Sequence, residues 1–203
     1  MNQTEIYVNF LRSRRSVRHF LPEPVSEEAV DRILETAFYA PSAHNRQPWR
    51  FVIVQSGEAK TRLVDQMGTA FRGDLMADDV PEAQADEQVE RSRCRILEAP
   101  VVVVLCLDIA DMDVYPDERR RKAEQIMAVQ SAALAGGTLL LAAHAEGLGG
   151  VWVCAPLFAP EAVRHALDLP DGWEPQAMLL IGFPSKISKF RSRRAISEVC
   201  RFV

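Results

Sequence analysis

The chain has 203 residues, of which 48% are hydrophobic and 26% are charged, and its formal net charge is −4. These values predict one soluble globular domain over residues 1–203, and they exclude a disordered tail, a collagen and a small disulfide scaffold. Four cysteines stand at positions 94, 106, 154 and 200 without a CxxC pair, and the N-terminus lacks the pattern of a signal peptide. We therefore expect a reducing, cytoplasmic location.

Two helices are predicted before the first strand. Apolar residues at helical spacing predict a helix over residues 4–13, and Ser26 is the N-cap of a second helix that Pro41 ends. An apolar run predicts a strand over residues 49–55, followed by a helix over 58–67. The acidic segment 68–95, punctuated by Gly73 and Pro81, is predicted to be a surface excursion with a helix near 82–97.

The second half of the chain holds the most apolar runs. We predict strands over 100–107, 151–153 and 177–182, a long helix over 116–146, a glycine-rich turn at 147–150, a short helix over 160–167 and a polar tail from 184. Because helices precede the first strand and no regular βαβ alternation exists, this order favours an α+β layered domain over a doubly wound sheet.

The long helix contains a stretch without formal charge, at residues 126–145. Its length would suffice to cross a membrane. The stretch nevertheless contains Gln130, Ser131, Thr138 and His144, and the chain has no second stretch of this kind. A helix that is apolar on all sides is buried either in lipid or in a core. We predict a core helix, and no membrane as a partner.

Positive charge is concentrated at the two ends of this acidic chain. Residues 10–20 carry four arginines and no acid, and residues 185–203 carry a net charge of +5. An acidic protein with two basic clusters is not expected to bind nucleic acid along its surface. The pattern leaves two interpretations: two solvated basic tails, or one compact anion bound where the two ends meet.

Several common catalytic motifs are missing from the sequence. The chain has no GxGxxG, no GxxxxGK[ST] and no GxSxG, and its four histidines form no HExxH or HxxxH pair. Cys154 stands among apolar residues, which are not the electropositive surroundings of a reactive thiol. We therefore expect neither a metal site nor a protein nucleophile.

Three segments together suggest a binding site. Residues 14–18 (RRSVR) offer guanidinium and hydroxyl donors that suit a phosphate. Residues 41–49 (PSAHNRQPW) form a loop with two amide side chains, which suit the alternating donors and acceptors of a heterocycle. Residues 147–153 (GLGGVWV) contain glycines that let backbone N–H groups approach a planar ligand.

With these segments and the terminal IGFPSK and RSRR, the sequence resembles the FMN-dependent nitroreductase superfamily nearly from end to end. The resemblance implies an α+β sandwich with a mixed or antiparallel central sheet flanked by helices. It also implies a homodimer that forms through long helices, with FMN at the interface and NAD(P)H as the reductant. The apolar helix at 126–145 would then be partly covered by the partner.

The same resemblance implies which residues bind the cofactor. The phosphate and ribityl chain would be held by Arg14, Arg15, Ser16 and Arg18, with Arg191 and Arg193 completing the clamp from the tail. The flavin would be covered by Pro41, Ser42 and Ala43 of the other subunit, contacted by the amides of Asn45 and Gln47, and faced on its N5 side by Val153, Cys154 and Ala155.

A closer resemblance, carried by FRGDL at 71–75, YPDER at 115–119 and LDLPDGWEP at 167–175, is to the C-terminal reductase domain of the FbiB protein of deazaflavin coenzyme F-420 biosynthesis. It implies reduction of the dehydro precursor of that coenzyme, with Arg72 as a substrate-binding cation. The sequence leaves open two enzymatic alternatives, a general NAD(P)H-dependent nitro or quinone reductase and a flavin-destructase-like or dehalogenase-like enzyme. A third alternative is a flavin- or deazaflavin-binding protein without turnover.

Overall fold

The computed structural model describes residues 2–186, 189 and 191–203. Within this part of the chain the helices are α1 Gln3–Ser13, α2 Glu27–Ala37, α3 Gly57–Ala77, α4 Glu82–Leu97, α5 Glu118–Ala145, α6 Pro160–Ala166 and α7 Ile196–Val199. The strands are β1 Trp49–Val54, β2 Val101–Asp108, β3 Gly149–Val153 and β4 Trp173–Gly182. Short 3₁₀ turns lie at Ala43–Asn45, Ile109–Asp111 and Ala155–Leu157.

The described strands form one antiparallel sheet in the order β1-β2-β4-β3. Strand β2 lies inside the sheet and is buried on both faces, which explains its unbroken run of β-branched and apolar residues. Successive side chains of a strand point to opposite faces. Val102 and Val104 therefore pack on one side of the sheet, whereas Val101 and Val103 pack on the other.

Helices cover both faces of the sheet. On one face Leu63 and Met67 of α3, Ile96 of α4 and Val163 of α6 belong to one apolar cluster with β2 and β4. On the other face α2 and α5 pack against the sheet through residues such as Ile33. The fold is therefore an α+β sandwich, as the sequence predicts.

Helix α5 crosses the sheet closely because its inner face is made of small residues. A Cβ atom on Gly136 would lie 2.5 Å from the ring of Trp152 and 2.8 Å from Leu105. Ala128, Ala132 and Ala135 are fully buried against the same layer. By length and composition α5 could cross a membrane, but half of its most apolar window is buried inside the protein. The helix serves as the core helix that the sequence predicts.

Several predicted boundaries are wrong: β3 begins at Gly149 inside the predicted turn, the predicted tail contains α7, and the largest differences concern α3 and β4. Helix α3 continues through Gly68 and Gly73 to Ala77 and forms a packed hairpin with α4, so residues 68–95 are not a loose surface excursion. Gly68 marks a close contact between the two helices, since a Cβ there would lie 3.2 Å from Val89. Strand β4 begins at Trp173, four residues before the predicted start. It accommodates Pro175 beside an irregular register at Leu105/Cys106 of β2.

Candidate functional site

The basic segment after α1 is attached to the sheet edge formed by β3. Ser16 forms a parallel bridge with Gly150, and the backbone N–H of Val17 donates to the Gly150 carbonyl at 3.0 Å. Gly149 has no side chain at the place where Val17 packs, because a Cβ there would lie 2.7 Å from Val17. The glycines of the turn therefore allow the Arg14–Arg15–Ser16 segment to lie directly against the strand.

Backbone pairing also brings the two basic ends of the chain together. Phe20 bridges Pro184, the N–H of Leu21 donates to Phe183 at 2.8 Å, and the N–H of Ser185 donates to His19 at 3.1 Å. Between the two ends lies a cavity of about 610 Å³, which we call the basic cavity. Its lining consists of Arg14, Arg15, Ser16, Arg18, His19, Lys186, Lys189, Arg191 and Arg193. In the described part of the chain no carboxylate lines it, and this is the composition expected of a phosphate site.

His144 at the end of α5 contacts α1, the helix that directly precedes the basic segment. Its Nε2 lies 2.7 Å from the Ser13 hydroxyl, and its ring stacks on Phe10 with the centroids 5.1 Å apart. Burial lowers the pKa of His144, and the positive charges of Arg14 and Arg15 lower it further. Protonation of the imidazole is therefore disfavoured beside these arginines.

The loop from Pro41 to Gln47 is held in a strained conformation. His44, Asn45 and Gln47 have φ angles of 50°, 53° and 52°, in the left-handed region that non-glycine residues rarely adopt. The Ser42 hydroxyl accepts a hydrogen bond from the N–H of Gln47 at 3.1 Å, and the Gln47 amide donates to Asn45 Oδ1 at 3.3 Å. Strain of this kind persists where the surroundings impose it, often at ligand sites.

Helix α5 anchors this loop far from the basic cavity. The N–H of Ala43 donates to the hydroxyl of the buried Ser131 at 3.1 Å, and that hydroxyl donates to the Met127 carbonyl. Ser131 and His144 are thirteen residues apart on one helix, which is about 20 Å at 1.5 Å per residue. Within one chain, the loop predicted to cover a flavin and the predicted phosphate clamp are thus widely separated.

The other end of β3 leads to a second cavity. Cys154 is exposed, Val153 and Ala155 are half-buried, and the Trp152 indole N–H donates to the Cys154 sulfur at 3.1 Å. From Gly150 to Val153 the strand advances about 10 Å at 3.3 Å per residue, and Cys154 and Ala155 follow in the turn after it. Strand β3 therefore connects the basic cavity with the residues predicted to face the flavin ring.

The second cavity, which we call the apolar cavity, has a volume of about 390 Å³ and lies between α3, α4 and the turn after β3. Its apolar lining includes Val64, Met67, Phe71, Val89, Ile96 and Phe158, and Ala155 belongs to it as well. The helix predicted over residues 58–67 ends at Met67, before Phe71, and therefore leaves out part of this lining. The signal was present, since Leu63, Met67, Phe71 and Leu75 continue one series at four-residue spacing.

Arg72, the cation predicted to bind substrate, is paired with acids of the helical hairpin. Its Nε donates to Asp86 at 2.7 Å and its Nη2 donates to Glu82 at 2.5 Å, and these bonds raise the pKa of the guanidinium. It does not line the apolar cavity. The polar groups that do line it include Asp74, Asp78 and Arg93, and Arg93 pairs with Asp65 at 3.2 Å. Arg72 therefore connects α3 with α4, and its role toward a substrate stays a prediction.

The sequence of this chain is similar to those of known proteins. A family model described as the nitroreductase family matches residues 11–183. The chain is 37% identical to a 5,6-dimethylbenzimidazole synthase of Rhodospirillum rubrum over 181 residues, which cover 84% of this chain and 78% of that protein.

Two solved structures extend the comparison to the fold. A BluB-like flavoprotein of Clostridium difficile 630 has a TM-score of 0.78 at 23% identity, covering 97% of this chain and 98% of that one. A candidate nitroreductase of Desulfovibrio desulfuricans in complex with FMN has a TM-score of 0.73 at 27% identity, covering 98% of this chain and 96% of that one.

Proposed function

Because the chain belongs to the nitroreductase family of flavin-dependent oxidoreductases, we propose that it binds FMN along β3 and reduces a neutral conjugated acceptor. The observation that carries this proposal is the position of two unlike cavities at the two ends of one edge strand. The basic cavity suits a phosphate, and the apolar cavity beside Ala155 suits an uncharged molecule next to the flavin ring. The similar protein solved with FMN supports the choice of cofactor.

In this proposal the protein binds and positions, and FMN when bound supplies the hydride chemistry. Arg14, Arg191 and Arg193 donate charge-assisted hydrogen bonds to the phosphate, joined by the hydroxyl of Ser16. The backbone at Cys154 and Ala155 lies against the ring. We take NAD(P)H as the reductant, as the names of related nitroreductases suggest.

We further propose a homodimer in which the loop of one subunit covers the flavin of the other. The separation of about 20 Å between Ser131 and His144 leaves the two halves of the site apart within a single chain. Apolar side chains are also exposed where a partner would pack: Ile6, Tyr7 and Leu11 on α1, and Ile126 and Leu134 on α5. Helix α1 buries none of its residues in the isolated chain. Size-exclusion chromatography that finds an FMN-loaded monomer at micromolar concentration would contradict the dimer.

The charges around the apolar cavity favour a neutral acceptor over the deazaflavin precursor. That precursor carries a phosphodiester and a carboxylate, whereas Asp74 and Asp78 line the cavity. Arg93 and Arg72, the nearby cations considered above, already pair with carboxylates. An anionic substrate would have to break these ion pairs. Quinones, nitroarenes and enones are neutral and need no cationic side chain for binding.

The decisive experiment starts with the absorbance spectrum of the purified protein. We expect bound or reconstitutable FMN, and rapid anaerobic reoxidation of the photoreduced protein by a neutral quinone or nitroarene. The dehydro precursor of the deazaflavin coenzyme serves as the anionic comparison. A protein that cannot be loaded with FMN would overturn the proposal, and a loaded protein that no acceptor reoxidises would indicate a binding protein without turnover.

One observation favours a second candidate. The identity of 37% to a 5,6-dimethylbenzimidazole synthase leaves open that this chain converts FMN itself to that product. Chromatography of the protein after incubation with reduced FMN in air distinguishes the two candidates. Appearance of 5,6-dimethylbenzimidazole would replace acceptor reduction as the main activity, whereas intact FMN after many turnovers would support a reductase.

A further inference from the structure

Three potential metal ligands from separate parts of the chain meet beside the strained loop. His44 belongs to the 3₁₀ turn of that loop, Asp113 follows β2, and Glu124 lies in the second turn of α5. One ligand atom of each residue lies within 4.8 Å of the ligand atoms of the other two. Sequence spacing gives no sign of this cluster, since its members are up to 80 positions apart.

The burial of Glu124 distinguishes this cluster from an ordinary group of exposed polar side chains. Its side chain is only 4% exposed, and its Oε2 is the one buried side-chain nitrogen or oxygen in the described residues that has no hydrogen-bond partner. An ionised carboxylate buried without a partner is costly, so such a group is normally paired or bound to a metal. The neighbouring guanidinium of Arg46 pairs with Asp113. Glu124 therefore still needs a positive partner.

The backbone at His44 is consistent with a ligand position. Its φ of 50° is unfavourable for a residue with a side chain, and it occurs where the imidazole comes close to Asp113 and Glu124. Strain of this kind is energetically unfavourable and needs compensation from the surroundings. A bond from an imidazole nitrogen to a bound ion would provide that compensation.

From this arrangement we infer a binding site for a divalent transition-metal ion, held by His44, Asp113 and Glu124. One imidazole and two carboxylates suit Zn²⁺ or Mn²⁺. At bond lengths of about 2.0–2.2 Å, two ligand atoms of a tetrahedral ion lie about 3.3–3.6 Å apart. The ligand atoms of this cluster lie within 4.8 Å of one another, so side-chain rotation has to bring them closer by up to about 1.5 Å when the ion binds.

The surrounding contacts define what the ion does. Arg46 donates a hydrogen bond to Oδ1 of Asp113, which is the kind of outer contact that orients a metal ligand. The ion ties the loop at residues 41–47 to the start of α5. Its role is to fix the loop that we propose to cover the flavin of the partner subunit. Metal binding itself does not require bound FMN, because the ligands lie outside both cavities.

The test uses the full-length protein after chelator treatment and dialysis, titrated with ZnCl₂ and MnCl₂ by calorimetry. We expect one ion per chain, and binding at least tenfold weaker in His44→Ala and Glu124→Gln. His165→Ala, which changes an exposed histidine on α6, is the matched control and binds like the parent. The exposed thiols of Cys94, Cys154 and Cys200 also bind Zn²⁺. The proposed site is therefore judged from the Mn²⁺ titration and from the difference in affinity between the parent and the variants.

Thermal unfolding distinguishes a metal site from a buried carboxyl group that binds no ion. With a metal site, Mn²⁺ raises the melting temperature of the parent and leaves Glu124→Gln unchanged. Glu124→Gln keeps the shape of the side chain and removes its charge, and circular dichroism checks that it folds. If the parent binds no ion, or if Glu124→Gln and His44→Ala bind ions like the parent, the inference is wrong.

Discussion

The two cavities use arginine in opposite ways. In the basic cavity Arg14, Arg18, Arg191 and Arg193 face a common space that no carboxylate of the described residues lines. In the helical hairpin beside the apolar cavity, Arg72 and Arg93 are paired with acids. The same residue type therefore lines a cavity without carboxylates in one region and connects helices in the other. What distinguishes them is the position of the neighbouring acids, which a count of charges does not reveal.

The largest expected effect concerns the phosphate clamp. Arg14→Ala and Arg193→Ala each remove a charge-assisted hydrogen bond, worth about 1.5–3 kcal/mol, so we expect FMN affinity to fall roughly tenfold to a hundredfold. Flavin fluorescence titration measures this change. Arg72→Ala, which alters a paired arginine of the hairpin, is the matched control and leaves FMN affinity unchanged.

Riboflavin sharpens the same test, because it lacks the phosphate. It should bind weakly to the parent and respond little to either substitution. If Arg14→Ala and Arg193→Ala both bind FMN as the parent does, the basic cavity is not the phosphate site. If Arg72→Ala weakens FMN binding equally, the distinction between the two groups of arginines fails.

A second prediction tests how the basic segment is attached to β3. Gly149→Ala places a Cβ 2.7 Å from Val17, and overpacking of this kind costs about 1–3 kcal/mol. We expect lower stability in urea and weaker FMN binding, because the Arg14–Ser16 segment must move off the strand. Gly73→Ala on the exposed side of α3 is the control, since its Cβ would meet no atom within 4 Å. Equal behaviour of the two variants would show that the Gly149 contact does not position the clamp.

A third prediction, with a smaller expected effect, concerns substrate binding in the apolar cavity. Phe158 is 78% exposed and lines this cavity, so Phe158→Ala removes apolar surface without opening the core. We expect KM for a neutral aromatic quinone to rise threefold to tenfold, since burial contributes about 25 cal/mol per Å². FMN affinity should be unchanged, and Leu157→Ala, which changes an exposed neighbour outside the cavity lining, is the control. A loss of FMN binding instead would show that the two cavities are not separate sites.

These two regions also show what the sequence can and cannot predict. The layered fold, the buried β2 and the core position of α5 follow from local apolar patterns and are confirmed. The prediction that the basic ends meet rests on their charge and on the resemblance, and backbone pairing at residues 19–21 and 183–185 brings them together.

The features that the sequence did not indicate depend on contacts between distant residues. Gly68 looks like a break in a helix, but it is the point where α4 approaches α3. Arg72 looks like a spare cation, but its partners Glu82 and Asp86 become neighbours only when the hairpin forms. The meeting of His44, Asp113 and Glu124 likewise depends on the tertiary fold. A local pattern carries no information on such pairs.

The smallest expected effect is a change in the protonation of His144. Burial and then Arg14 and Arg15 lower its pKa in the folded chain. The unfolded chain therefore binds this proton more readily, and the stability contributed by the neutral ring is present above about pH 6.5 and is lost as the pH falls toward the lowered pKa.

A phosphate bound in the basic cavity offsets the charges of Arg14 and Arg15, so FMN should raise the pKa of His144. An NMR titration of the imidazole signals with and without FMN measures the shift, and the signals of His165 on α6 are the control. A pKa of His144 that does not respond to FMN would mean that the phosphate binds away from Arg14 and Arg15, and that the basic cavity serves another anion.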